Sequence, residues 1–172
     1  MTHTHRLALT LTIALTALNL TASPAAAGPA PTTPTDPVST YLANHPGGQR
    51  LNNNEISYGN GRFIVTLTAP THPQSTADCP TGWFCFYEHT QYGYPRGRLS
   101  DCGWQDLAWW GWQDRTQSAF YNLTNGSTAF IHHTPGTNRY YDYVIFTIDT
   151  THRGIPDVYP HRNMADYVFR SC

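Results

Sequence analysis

The stretch Cys79-Pro-Thr-Gly-Trp-Phe-Cys85-Phe-Tyr-Glu-His-Thr-Gln-Tyr-Gly93 decides the fold. Its Phe84–His89 run is short, aromatic-rich and bounded by turn residues, which predicts a strand. Further short runs of this kind lie at Arg98–Ser100, Ser118–Leu123, Thr128–His132 and Tyr143–Ile148, separated by Gly, Pro, Asn and Asp. Upstream, Glu55–Tyr58 and Arg62–Thr68 flank Gly59-Asn60-Gly61 and predict a hairpin. Val38–His45 predicts a turn or two of helix, and Gln105–Trp112 a short helical turn or a loop. After residue 50 no stretch keeps a helical period with caps. The pattern predicts an all-β sandwich. Two strand runs end alike, in Glu88-His89-Thr90 and His132-His133-Thr134. Two Greek-key motifs in tandem would produce that weak repeat.

The ends of the chain set the compartment. Residues 1–27 read as a signal peptide: Arg6, an apolar run Leu7–Leu20, then Ala25-Ala26-Ala27. The run is too short to span a bilayer, so no membrane span is expected. Residues 28–54 read as a flexible Pro/Thr-rich leader, 55–77 as a hairpin extension and linker, and 78–172 as the main domain. Export makes the four cysteines Cys79, Cys85, Cys102 and Cys172 two disulfides rather than a zinc site. Three pairings are open. The expected pairing closes the short loop Cys79–Cys85 over the Pro-Thr-Gly turn and ties Cys102 to the chain end at Cys172. In the chain-entropy model the longer loop contributes about 4 kcal/mol.

Composition excludes several classes. Of 172 residues only 12% are charged, with 10 Lys+Arg against 11 Asp+Glu, and every cation is arginine. No positive excess exists to release phosphate counterions, so no nucleic-acid partner is expected. The 23 Phe, Trp and Tyr (7 + 5 + 11) argue against whole-chain disorder. Enzyme motifs are missing: there is no HExxH, GxSxG, P-loop or dinucleotide fingerprint, and Glu55 and Glu88 are the only glutamates. The protein is read as a non-enzyme.

Three stretches carry a resemblance: residues 79–93; Asp101-Cys-Gly-Trp-Gln-Asp-Leu; and Trp110-Gly-Trp-Gln-Asp-Arg-Thr-Gln-Ser118 with Phe120-Tyr-Asn-Leu-Thr124. Together they resemble peptidase inhibitor family I36, secreted actinobacterial proteins that look like βγ-crystallin Greek-key domains. The resemblance implies a βγ-crystallin-like sandwich with an N-terminal hairpin added. It also implies a secreted inhibitor of extracellular metallopeptidases that acts through a rigid exposed loop. In the family's namesake that loop is bounded by a disulfide in the second half. No two-cysteine loop exists there in this sequence, so that site is not carried over.

Candidate sites follow. For an inhibitory loop they are Trp83 and Phe84 in the Cys79–Cys85 loop, and Tyr92, Tyr94 and Arg96 at the hairpin tip. For stacking on a cell-wall glycan, the alternative partner, they are Trp109, Trp110 and Trp112; core packing is the competing role. A third reading is a structural crystallin relative with no dedicated ligand. In a crystallin-type hairpin, Tyr87 is the opening aromatic and a glycine is expected seven positions on. Tyr94 stands there, so Gly93 or Gly97 is expected to supply the positive φ. The crystallin calcium motif survives only as Asp114 and Ser118. One carboxylate is a poor start for an ion that takes six to eight oxygens, so no metal or other cofactor is expected.

Overall fold

Strand Trp83–His89 lacks the alternation of a half-exposed strand because both of its faces are covered. Phe84 and Phe86 point into the main core, while Cys85 and Tyr87 enter a second small cluster on the opposite face. The coordinates are a computed structural model and describe residues 36–70 and 77–172. The signal peptide, the first part of the leader and most of the linker before Ala77 lie outside the described residues.

The described chain begins with helix α1, Pro37–Asn44. Asp36 caps it by accepting from Ser39 N at 2.9 Å, and Pro37 takes the first turn, where no amide donor is needed. The strands are β1 Gln49–Arg50, β2 Glu55–Tyr58, β3 Phe63–Thr66, β4 Trp83–His89, β5 Gly93–Leu99 and β6 Gly103–Asp106. They continue as β7 Ser118–Asn122, β8 Ser127–His132, β9 Tyr143–Asp149, β10 Gly154–Ile155 and β11 Tyr167–Ser171. Short 3-10 turns occupy Leu107–Trp110 and Arg139–Tyr141.

Two antiparallel sheets result. One runs β1-β2-β3-β5-β4-β7-β10 and the other β6-β11-β8-β9. Strands β4–β7 form one motif and β8–β11 a second. Each keeps its second, first and fourth strands together and gives its third strand to the opposite sheet: β6 pairs with β11, and β10 with β7. That exchange is the physical content of the weak repeat in the sequence. It also makes each motif contribute a strand to both sheets.

The core lies between the sheets. Phe63, Phe84, Phe86, Trp112, Phe130, Ile148 and Val168 are fully buried there. Phe63 stacks on Phe86 at 5.9 Å, and Trp112 meets both rings edge-on. Each such ring contributes about 2–3 kcal/mol by leaving water.

The segment read as leader and extension is part of this fold from α1 onward. Val38, Ile56, Phe63 and Val65 are buried in the main core, and β3 pairs with β5. Their apolar area completes the sheet beside β5. The disulfides are Cys79–Cys85 and Cys102–Cys172.

The hairpin tip corrects one expectation. Neither Gly93 nor Gly97 has a positive φ; the left-handed residues are Gln91 and Tyr92, at 56° and 59°. The glycines are required for space instead. A Cβ on Gly97 would lie 2.8 Å from both Phe63 and Phe86, and one on Gly93 would lie 2.7 Å from His89 Cβ.

Candidate functional site

The first half presents a disulfide-closed loop backed by the outer aromatic cluster. Asp78, just before Cys79, is its hub. Its carbonyl accepts from Tyr87 Oη at 3.0 Å and also from Arg96, and its carboxylate accepts from Tyr94 Oη at 2.6 Å. Arg96 reaches on to Thr66 Oγ1 at 2.9 Å. Burial pushes the hydroxyls of Tyr87 and Tyr94 well above the ordinary tyrosine range. They stay protonated and serve as permanent donors.

These bonds overturn two inhibitory-loop assignments. Phe84 is buried in the core, and Arg96 is buried in the Asp78 network. Neither offers a side chain to a peptidase cleft. Trp83, Tyr92 and Tyr94 are half-buried and pack on the cluster around Tyr87.

Of the two roles weighed for the tryptophans, core packing holds for Trp110 and Trp112. Trp110 packs on Phe63 at 4.9 Å and Trp112 is fully enclosed, so neither can stack on a glycan. Gly111, at φ 65°, reverses the chain between them and turns both rings inward. Trp109 is 62% exposed but meets Trp110 edge-on, with no coplanar partner. The other exposed tryptophan is Trp104, at 46% on β6.

The degenerate calcium loops lie side by side. Asp114 and Asn163 have matching left-handed φ values of 56° and 55°. Asp114 N donates to Ala165 O at 3.0 Å, and Asn163 N to Thr116 O at 2.9 Å, so the loops clasp each other reciprocally. Ser118 Oγ donates to His89 O at 2.7 Å and accepts from Tyr92 N at 3.1 Å.

Beside Ser118 the local cation is an arginine. Arg115 pairs with Glu88, donates to Gly111 O at 2.8 Å and to Tyr41 Oη at 3.0 Å, and lies over the Trp112 ring at 4.5 Å. Where the two motifs meet, ligand atoms of Asp114 from the first and of His132 and Asp166 from the second lie within 4.8 Å of one another. Asp166 there already accepts from His133 N at 2.7 Å, and His132 Nδ1 lies 2.9 Å from Met164 O. Neither place fits calcium. In the first Arg115 holds the Glu88 carboxylate and Ser118 is spent within the fold; in the second an imidazole stands where calcium would take oxygen.

The most exposed large hydrophobic residue among the described residues was not singled out from the sequence: Tyr140 is 86% exposed, beside Tyr141 on the β8–β9 connection, with Tyr143 opening β9. That connection is pinned at several points. His133 Nδ1 meets Asp142 Oδ1 at 2.6 Å; Thr137 Oγ1 donates to Thr134 O at 2.6 Å; Asn138 caps the 3-10 turn through Tyr140 N at 3.1 Å. Arg139 lies over Tyr167 at 4.8 Å and Trp104 at 5.4 Å. The available signal was Thr134-Pro-Gly-Thr-Asn-Arg-Tyr-Tyr-Asp142, a long turn-rich segment ending in adjacent tyrosines.

The model of peptidase inhibitor family I36 matches residues 72–138, in agreement with the resemblance carried by residues 79–124. No curated protein and no solved structure matches the chain. Among the described residues, no helix is long and apolar enough to cross a membrane.

Proposed function

We propose that this chain, similar to peptidase inhibitor family I36 over residues 72–138, is a secreted, non-catalytic inhibitor of an extracellular peptidase. The family match carries the reading. The two disulfides support an oxidising, extracellular setting. The exchanged third strands support the crystallin-type architecture that the resemblance implies.

The inhibitory element is the β8–β9 connection, Thr134–Asp142. An inhibitor needs a loop that enters a cleft without paying much ordering entropy. This loop has its protruding residue, Tyr140, on a capped turn. Its ends are held by the His133–Asp142 pair and its turn by Arg139 on two rings, which replace a disulfide as the restraint. Metallopeptidases are the target class.

The test is a titration of the purified protein against a thermolysin-type metallopeptidase, with a serine peptidase in parallel. The proposal expects stoichiometric loss of metallopeptidase activity. It also expects Tyr140→Ala to raise the inhibition constant about 30-fold, the size of a 2 kcal/mol hot spot. Full peptidase activity at micromolar excess of inhibitor refutes the function. An unchanged constant for Tyr140→Ala refutes the loop assignment.

A further inference from the structure

The chain contains two Asn-Gly pairs, Asn60-Gly61 and Asn125-Gly126, and the fold treats them differently. Such a pair is primed for one intramolecular reaction. Glycine has no side chain to shield its amide nitrogen, so that nitrogen can approach the carboxamide carbon of the asparagine before it. Whether the reaction runs in a folded protein depends on how firmly the Asn-Gly peptide plane is held.

Asn60-Gly61 sits at the tip of the β2–β3 hairpin, in the turn 59–62, and both residues are exposed. The turn closes through Arg62 N on Gly59 O at 3.4 Å, a bond that bypasses the Asn60–Gly61 peptide. Among the described residues, the Asn60 carboxamide, the Asn60 carbonyl and the Gly61 N–H have no hydrogen-bond partner. Nothing lies within 4 Å of the place a Gly61 Cβ would take. Asn60 is left-handed at φ 57°, a region that asparagine enters and leaves at low cost. This peptide plane can turn without breaking a bond or meeting a neighbour.

Asn125-Gly126 is the same dipeptide, and Asn125 is exposed too, but its peptide is held. The Asn125 carbonyl accepts from the buried Tyr121 Oη at 2.5 Å, and its carboxamide oxygen accepts from Arg170 at 3.4 Å. Gly126 lies against β11, where a Cβ would stand 1.9 Å from Ser171 O. The next residue, Ser127, is paired with Ser171 on one side and Asp149 on the other. Turning this plane breaks the Tyr121 bond and pulls Gly126 off β11.

We propose that Asn60 is a site of spontaneous deamidation in the folded protein and that Asn125 is protected from it. The Gly61 nitrogen attacks Asn60 Cγ, the Cγ–Nδ2 bond breaks, and ammonia leaves with the proton given up by Gly61 N. Water then opens the resulting succinimide at either carbonyl, leaving aspartate or isoaspartate at position 60. No oxidant or reductant takes part. The product adds a carboxylate beside Arg62, whose Nε already donates to Asp101 at 2.6 Å. Isoaspartate also lengthens the main chain by a carbon atom between Tyr58 and Phe63, which are paired and buried.

The test is incubation of the purified, disulfide-intact protein in mildly alkaline buffer, with peptide mapping by mass spectrometry at intervals. The amide-to-acid mass gain is read at both sites, with isoaspartate resolved from aspartate. Position 60 should convert at least about tenfold faster than position 125, since a misplaced attacking atom costs that much or more. In the reduced, urea-unfolded chain the two positions should convert at similar rates, because no fold then holds either peptide. Asn60→Gly keeps a residue suited to the left-handed turn and should leave the folded protein without a fast-converting site. The proposal fails if the folded protein converts at position 125 as fast as at position 60, if position 60 stays an amide while the unfolded chain converts, or if Asn60→Gly retains the fast phase.

Discussion

Replacing Arg115 by alanine removes the cation that joins α1, β4 and the Leu107–Trp110 turn. Its guanidinium pairs with Glu88, donates to Gly111 O and Tyr41 Oη, and covers the Trp112 ring. A charge-assisted hydrogen bond contributes about 1.5–3 kcal/mol and a desolvated cation–π contact about 2 kcal/mol. The contributions do not add in full. The side chains of Arg115 and Glu88 are 17% and 23% exposed, so Glu88 regains some water when its partner goes. A net loss of about 3 kcal/mol is expected, which lowers the melting temperature by about 10 °C for a domain of this size. The Arg50–Asp36 pair is an internal control. At 35% and 38% exposure, Arg50→Ala should cost under about 1 kcal/mol. Arg115→Lys keeps the charge but loses the fork and the stacking, and should fall between wild type and alanine. Scanning calorimetry with and without about 5 mM calcium reads all three, a concentration above the usual range for weak extracellular sites. Calcium should not move the wild-type transition. The reasoning is refuted if Arg115→Ala melts no lower than Arg50→Ala, or if calcium raises the wild-type melting point by several degrees.

Two further outcomes follow from the packing. Gly97→Ala places a methyl group 2.8 Å from Phe63 and Phe86, which flank β5 on two paired strands and cannot retreat. It should destabilise by about 1–3 kcal/mol, against about 1 kcal/mol for Gly136→Ala, where only the φ of 78° is strained; equal denaturation midpoints contradict this. His45 is held below the ordinary imidazole value of 6.5, by burial first and then by Arg115. The unfolded chain therefore takes up this proton before the folded one, so stability falls as pH drops below 6.5. Urea midpoints for His45→Gln should lose part of that acid-side slope; an unchanged slope contradicts the assignment.

The strands that stand on local sequence were legible. Glu55–Tyr58, Phe63–Thr66, β4, β7, β8 and β9 each have a β-prone run between turn residues. Strands β6, β10 and β11 were not, because what makes them strands is a partner far along the chain. Trp104 on β6 pairs with Phe169, and the two-residue β10 exists only against β7. The tryptophan cluster shows the same limit. Composition placed three aromatic rings at Trp109, Trp110 and Trp112, but the reversal at Gly111 decides which are enclosed. Asp114 was legible from a degraded motif, whereas His132 and Asp166 join it only through the clasped loops. The Thr134–Asp142 loop was passed over because its restraints, Arg139 on Trp104 and Tyr167, connect three separate parts of the chain.

An inhibitor must stop a peptidase. Active-site titration of a thermolysin-type enzyme with the purified protein measures that directly. The expected result is a linear fall to near-zero activity at one inhibitor per enzyme, and a right-shifted curve for Tyr140→Ala with its melting point unchanged. Undiminished activity of both metallo- and serine peptidases, in the presence of folded protein at micromolar excess, would contradict it.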